Sequence, residues 1–500
     1  MERRDAEARD PHRRVRADHR PRRGRADHSP GEGQVSGAVG GGHPHGADSG
    51  GSGGDEALAR VDEIYRTILT RAPEHDFEPT LDRVREVCEL LGDPQHAFRA
   101  IHLTGTNGKT STARMVDSLL RAMGLRTGRF TSPHLTDVRE RIVVDGELIS
   151  PGAFVAAWED VEPYIAMVDE RSLAAGGPRL SFFEVFTVMA IAAFADAPVD
   201  VAVIEVGMGG RWDATNVVDA DVAVLLPIAQ DHEQWLGHSL ADIAGEKVGI
   251  IKDSARVISA EQVEEVAGIV TVAAATTGAR LLEEPRDLGV AARQVAVGGQ
   301  VVALTTPAAT YADIPLPLFG EHQAHNAALA LAAVEEFFGG GALPADVVEE
   351  GFGQVRSPGR LEVVRTSPAV LVDAAHNPHG AAALRAAVEE AFAFQHVVGV
   401  FAAMADKNVE GILVEMEPLL DEIVVTGMDT PRAMDPADLA DLAREVFGED
   451  RVHVERRLVD AIDTAAGLAE RDGGPAGTAG VLVTGSVILA GAVRRLFGRE

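Results

Sequence analysis

A strand that breaks into a glycine loop and runs directly into a helix leaves a chain few folds to choose from, and residues 100–120 read that way. Ala100 to Leu103 is an alternating apolar run of the kind that becomes a buried strand. Gly105, Gly108 and Lys109 interrupt it, and Met115, Val116, Leu119 and Leu120 then recur at helical spacing. A loop of this kind can curl its backbone N–H groups around a phosphate. The helix N-terminus adds partial positive charge, Lys109 adds a full one, and Thr110 or Ser111 offers a hydroxyl to phosphate or Mg²⁺. The loop suits ATP. It departs from the usual eight-residue phosphate-loop pattern because Leu103 stands where the first glycine belongs, so an ordinary strand-to-helix turn remains an alternative for the loop alone.

With 500 residues and 46% hydrophobic content, the chain can bury a large core, and the length suggests two or three domains. Its 77 acidic and 46 basic residues give a net charge of -31, which argues against nucleic acid or an anionic membrane as partner. Cys88 is the single cysteine, so no internal disulfide can form and a reducing compartment is natural. No apolar run approaches the roughly 18 residues needed to span a bilayer. We therefore expect a cytoplasmic protein, taken as a monomer. Lysine is rare: Lys109, Lys247, Lys252 and Lys407 are the only four, and Asn107, Asn216, Asn326, Asn377 and Asn408 the only asparagines. Where arginine has been used for almost every generic positive charge, a retained lysine suggests a site that needs a compact amine.

Residues 1–55 are rich in Arg, Asp, His, Gly and Ser and contain no Leu, Ile or Phe. They are expected to form a disordered tail. Two amphipathic segments follow, joined by a link that includes Glu78, Pro79 and Thr80, and they lead into the phosphate loop. Thr127 to Thr131 reads as a strand ending in the polar turn Ser132-Pro133-His134, on the loop's own edge if the sheet is parallel. A hairpin is expected around Asp145-Gly146, then a long helix from Pro151 and a buried helix opened by Ser181-Phe182-Phe183-Glu184.

The run beginning at Val199 carries five apolar residues that mark it as a central strand, yet Glu205 lies near its carboxyl end. A buried carboxylate there is costly unless it is paired or bound to a metal, and metal is the economical reading. The next strand ends at Gln230-Asp231-His232, which puts an imidazole at the neighbouring tip as a candidate ligand; a structural histidine is the alternative. Alternation continues to a helix ending near Phe338. A Gly339-Gly340-Gly341 break precedes a second run of strands and helices. The expected architecture is α/β, with a nucleotide-binding domain over 56–342 and a smaller, doubly wound domain over 343–500.

Taken together, Gly105 to Ser111, Thr131 to Leu135, Glu205 to Asn216, Asp231 to Gly237, Gly245 to Lys247, His325-Asn326, Pro358 to Arg360 and Asp373 to Pro378 resemble the folylpolyglutamate synthase and dihydrofolate synthase family, relatives of the Mur ligases. The resemblance spans roughly residues 56–500. It implies a phosphate-loop-containing, Mur-ligase-like central domain and a smaller Rossmann-like C-terminal domain. It also implies an ATP-dependent ligase adding L-glutamate to dihydropteroate, to tetrahydrofolate, or to both, through an acyl phosphate.

By the same resemblance Asn107, Gly108, Lys109 and Thr110 hold the phosphates, and Asn326, Arg360 and Asp373 contact ATP across an interdomain cleft. Ser132, Glu205 and His232 bind Mg²⁺, with two metal sites, and Lys247 carries CO₂ as a carbamate. The pterin side is met by Ser181, Phe182, Phe183 and Glu184, by Trp212, Asp213 and Ala214, and by Glu78, Pro79 and Thr80. Thr110 departs from the family, which commonly has glycine after the loop lysine, whereas Mur ligases have threonine. Mur ligases are thus one alternative, although they carry a UDP-binding domain ahead of the loop. A phosphate-loop NTPase whose turnover drives a partner is another.

Overall fold

The computed structural model describes residues 50–73, 79–471 and 477–499. The expected tail therefore lies outside the described residues up to position 49, and so does Glu78. Residues 50–55, assigned to the tail from composition, are helical: they begin the helix Gly50–Leu69, whose Val61, Ile64 and Ile68 are buried.

The first domain is built on an eight-stranded sheet of β1 (Arg99–Thr104), β2 (Thr127–Phe130), β3 (Ile142–Val144), β4 (Glu147–Leu148), β5 (Val201–Glu205), β6 (Val222–Leu225), β7 (Arg256–Ser259) and β8 (Arg280–Glu283). The spatial order is β4-β3-β2-β5-β1-β6-β7-β8. Pairings are parallel from β2 to β8, and β3 and β4 extend the edge antiparallel. Every residue of β5 is buried, as expected for a parallel strand covered on both faces. The Phe182–Asp196 helix is apolar almost all round and buried to match. The expected hairpin forms with Asp145 and Gly146 both at positive φ, 53° and 83°, as a two-residue turn between antiparallel strands demands.

Two features depart from the expected layout. Strands β9 (Gly289–Ala296), β10 (Gly299–Thr305) and β11 (Thr310–Leu316) form a separate antiparallel sheet that the sequence does not announce, since β9 has no buried residue and does not alternate apolar with polar. The expected boundary at 342/343 also falls too early. Leu343, Val348, Phe352 and Val355 are buried in the first domain's core with Leu119 and Leu329. The Ala345–Gly353 helix lies so close to the phosphate-loop helix that a Cβ on Gly351 would stand 2.7 Å from Leu119, while Ser118 donates to the Gly351 carbonyl at 2.7 Å.

The second domain is a six-stranded sheet of β12 (Glu362–Thr366), β13 (Ala369–Val372), β14 (His396–Phe401), β15 (Glu422–Val425), β16 (Val452–Val454) and β17 (Ala479–Thr484), in the order β12-β13-β17-β14-β15-β16. All but β12 run parallel. The three-residue β16 is too short to read from periodicity. Among the described residues, no helix is long and apolar enough to cross a membrane.

Candidate active site

The order β2-β5-β1-β6 sets four strand ends side by side on one edge of the first sheet. Register pairs Phe130 with Ile204, Leu103 with Glu205 and Thr104 with Leu225. The turn at Ser132, the Glu205 carboxylate, the glycine loop and the Asp231-His232 turn therefore form one continuous rim. Residues of the second domain face it across a cavity of about 1190 Å³.

Gly108 caps the Lys109–Ala122 helix at φ 86°, and a Cβ there would come within 2.7 Å of the Asn326 side-chain oxygen. Glycine is needed for both reasons. Lys109 is curled back, its Nζ donating to the Gly105 and Thr106 carbonyls at 3.0 and 3.2 Å. Burial pulls its pKa below the usual lysine range, against the attraction of Glu205. Glu205 is 1% exposed. Both of its oxygens accept the Thr110 hydroxyl, at 2.9 and 3.0 Å, and one accepts the Ser132 amide at 3.3 Å. Burial raises its carboxyl above the usual range, opposed chiefly by Lys109.

Hydroxyl and carboxylate oxygens converging at a phosphate loop fit a hard divalent cation, and His232 is the softer donor of the expected set. Burial pushes the His232 pKa down to about 3, so its ring is neutral at physiological pH and retains a lone pair. Among the described residues, no three His, Cys, Asp or Glu side chains are grouped to hold a metal by themselves.

From the other side, Arg360 and Asp373 reach the same cavity. Asp373 is fixed by the Leu361 and Ala375 amides at 2.8 and 2.7 Å, and burial raises its pKa against the pull of Arg360. The domains also touch directly. Asn107 and Asn377 exchange amide hydrogen bonds at 3.2 and 3.1 Å, and the Ser111 and Ser357 hydroxyls lie 3.1 Å apart.

Of the residues expected on the pterin side, Thr80, Phe182, Phe183, Trp212 and Ala214 line the cavity; Ser181, Glu184 and Asp213 also border it, but with their polar groups already engaged. Glu184 accepts its own cap's Ser181 amide at 2.6 Å and the Arg83 guanidinium at 3.1 Å. Asp213 accepts the Met208 and Thr215 amides at 2.9 and 3.0 Å, and burial raises it to about 6. Pro79 is absent from the cavity wall, and so is Lys247. Lys247 lies behind the glycine loop, 5% exposed, with its Nζ donating to the Gly105 carbonyl at 2.9 Å. Burial, with Lys109 adding like-charge repulsion, brings its pKa down to about 7.

Sequence reasoning gave no role to three groups that the structure brings to the cleft. Asp231 and Lys407 pair across it at 2.8 Å, and the rarity of lysine was the available signal for Lys407. Tyr65 sets its ring edge-on to His134, which accepts from Arg141 Nε at 3.0 Å. Tyr65 belongs to the first amphipathic helix, which nothing in the sequence tied to a ligand.

Comparison with known proteins bears on this geometry. Two family models match in order: the Mur ligase middle domain over residues 177–334 and the Mur ligase glutamate ligase domain over residues 359–487. The dihydrofolate synthase/folylpolyglutamate synthase of Mycobacterium tuberculosis is 50% identical over 465 residues, covering 89% of this chain and 95% of that protein. The Escherichia coli protein of the same name is 33% identical over 352 residues, covering 70% and 78%. A crystal structure of M. tuberculosis folylpolyglutamate synthase complexed with ADP and AMPPCP superposes with TM-score 0.85 at 48% identity, covering 89% of this chain and 99% of that one. An E. coli relative in complex with DHPP and ADP gives TM-score 0.75 at 29% identity, covering 88% and 97%. With a relative half identical along nearly its whole length, and both Mur ligase domains matched on either side of the cleft, the chain belongs to the dihydrofolate synthase/folylpolyglutamate synthase family.

Proposed function

We propose that this chain is an ATP-dependent ligase that joins L-glutamate to dihydropteroate, to tetrahydrofolate, or to both. The observation that carries the reading is the rim itself. A phosphate loop with Lys109 stands beside a buried Glu205 held by Thr110, across a cavity from Arg360 and Asp373. The acid's carboxylate attacks the γ-phosphate and ADP leaves; the glutamate amine then attacks the acyl carbon and phosphate leaves. Lys109, freed from the Gly105 and Thr106 carbonyls, turns onto the transferring phosphate, and the loop amides hold its neighbours. Asn107, Gly108, Thr110 and Asn326 bind the nucleotide from the first domain, and Arg360 and Asp373 from the second. The aromatic wall around Phe182 and Trp212 takes the pterin, and the closed cleft keeps water from the mixed anhydride.

Mg²⁺ would be held by Ser132, Glu205 and His232, with a second ion beside a carbamylated Lys247. When bound, it neutralises phosphate charge and polarises the γ-phosphate. The same reading makes the protein a cytoplasmic monomer acting on small molecules, independent of nucleic acid and membrane. The test is ADP release with dihydropteroate or tetrahydrofolate, each with and without glutamate. Release requiring both acid and glutamate supports the ligase; release without either would favour an NTPase driving a partner.

Arg360 carries a further expectation. Its guanidinium reaches the nucleotide from the second domain, and a charged hydrogen bond contributes about 1.5–3 kcal/mol. ATP and both substrates should compact the parent protein, as read by scattering, and Arg360→Ala should weaken ATP binding roughly tenfold or more and reduce that compaction. Unaltered binding and compaction would remove Arg360 from the site.

A further inference from the structure

His232 has a backbone few residues adopt, φ 54° and ψ 34°, and it opens a helix of one turn, Glu233–Leu236. Its own amides close the turn, Trp235 and Leu236 donating to the His232 carbonyl at 2.9 and 3.0 Å, and Asp231 ties its start to the second domain. Its Oδ1 accepts the His232 amide at 2.9 Å and Lys407 Nζ at 2.8 Å, and its Oδ2 accepts Asn377 Nδ2 at 3.3 Å. Lys407 and Asn377 both belong to the second domain. The ion pair is well sheltered, each side chain being 10% exposed, so solvent screens it less than a surface pair. Both donors are themselves braced. The Lys407 amide donates to the Met404 carbonyl at 3.2 Å, Met404 bridges to Ala433, and Asn377 caps the Pro378–Ala391 helix through the Gly380 amide at 2.8 Å.

We propose that Lys407 is a positioning residue: reaching across the cleft, it fixes Asp231 and through it the turn carrying His232, so that this part of the rim is formed only when the two domains are together. The inference rests on the reading that His232 serves Mg²⁺. Domain opening would remove two of the three side-chain or backbone donors to Asp231 and leave the left-handed turn to relax, while Glu205 keeps Thr110 and Ser132, and Lys109 keeps the Gly105 and Thr106 carbonyls, within the first domain. Metal binding and domain closure are then one event, and the acid is activated only in a cleft already shut against water.

The test uses the full-length protein. In ligand-free Lys407→Met, amide hydrogen exchange over residues 230–237 should rise about tenfold, while β1 and the Glu321–Phe337 helix keep their protection. A global loss of stability would raise exchange in those elements too. The Mg²⁺ concentration for half-maximal activity should rise several-fold with KM for glutamate unchanged. Lys407→Arg, which keeps a cation, should restore most of the protection, and Asp231→Asn should loosen the turn without adding to Lys407→Met. Unchanged exchange with a raised KM for glutamate would overturn the proposal and make Lys407 a direct ligand of the substrate's carboxylates. His232→Ala separates the two readings. If it leaves the Mg²⁺ requirement unaltered while Lys407→Met still loosens the turn, the metal assignment fails and the positioning role stands.

Discussion

Glu205→Gln is expected to lower kcat/KM by roughly two to three orders of magnitude while the protein stays folded. The substitution preserves shape and still accepts the Thr110 hydroxyl, but it removes the negative charge that would pair with Mg²⁺; losses of about 10²–10³ are typical when one preorganised electrostatic partner is deleted at a reacting centre. High Mg²⁺ should recover part of the loss. Stability should move the other way. Burial raises the Glu205 pKa above its unfolded value, so the folded state binds more protons than the unfolded one between the two values. The stabilisation from this group is present below the unfolded value and is lost as pH rises through the folded one. At neutral pH the native carboxylate is therefore a cost that glutamine removes, and the melting temperature should hold or rise. A folded variant with unchanged Mg²⁺ dependence would count against the metal role.

The second large effect is expected at Lys247. A carbamate needs a neutral amine to attack CO₂, and an ordinary lysine at pH 7 offers one in roughly three thousand molecules. Lys247, brought down to about 7 by burial and by Lys109, offers a large fraction. Arginine keeps the positive charge but cannot form the adduct in that geometry. Lys247→Arg should therefore lose about 10²-fold or more in kcat, on the scale of a deleted anionic metal partner. Lys247→Ala should regain part of its activity with acetate, and ¹³C-bicarbonate should give the parent protein a carbamate carbon signal that both variants lack. If Lys247 instead acts as a cation on the Gly105 carbonyl, as its 2.9 Å contact permits, the arginine variant should work nearly as well as the parent.

Much of this site was legible because its signals are local. Glycines before Lys109, a carboxylate at the end of an otherwise apolar strand and an imidazole at the next strand's tip each conflict with plain strand or helix chemistry, and the parallel order places all three on one edge. What stayed hidden depends on distance in sequence. Lys407 meets Asp231 from 176 residues away, and only the rarity of lysine set it apart. The β9–β11 sheet escaped because a half-exposed antiparallel sheet leaves weak alternation. The Ala345–Gly353 helix follows a triple-glycine break that reads as a domain boundary, yet Gly351 permits the tight contact that returns it to the first core. Glu184 and Asp213 carry the polar groups expected for recognition, but their oxygens cap their own segments.

Capture of the γ-phosphate by the substrate's own carboxylate can be read by isotope transfer. With the acid labelled by ¹⁸O in its carboxylate and supplied with ATP and glutamate, one labelled oxygen is expected in the inorganic phosphate for each amide bond formed, because the acyl phosphate breaks between carbon and the bridging oxygen. Phosphate released without label, in step with ADP, would mean that water attacks the nucleotide and would contradict the ligase mechanism.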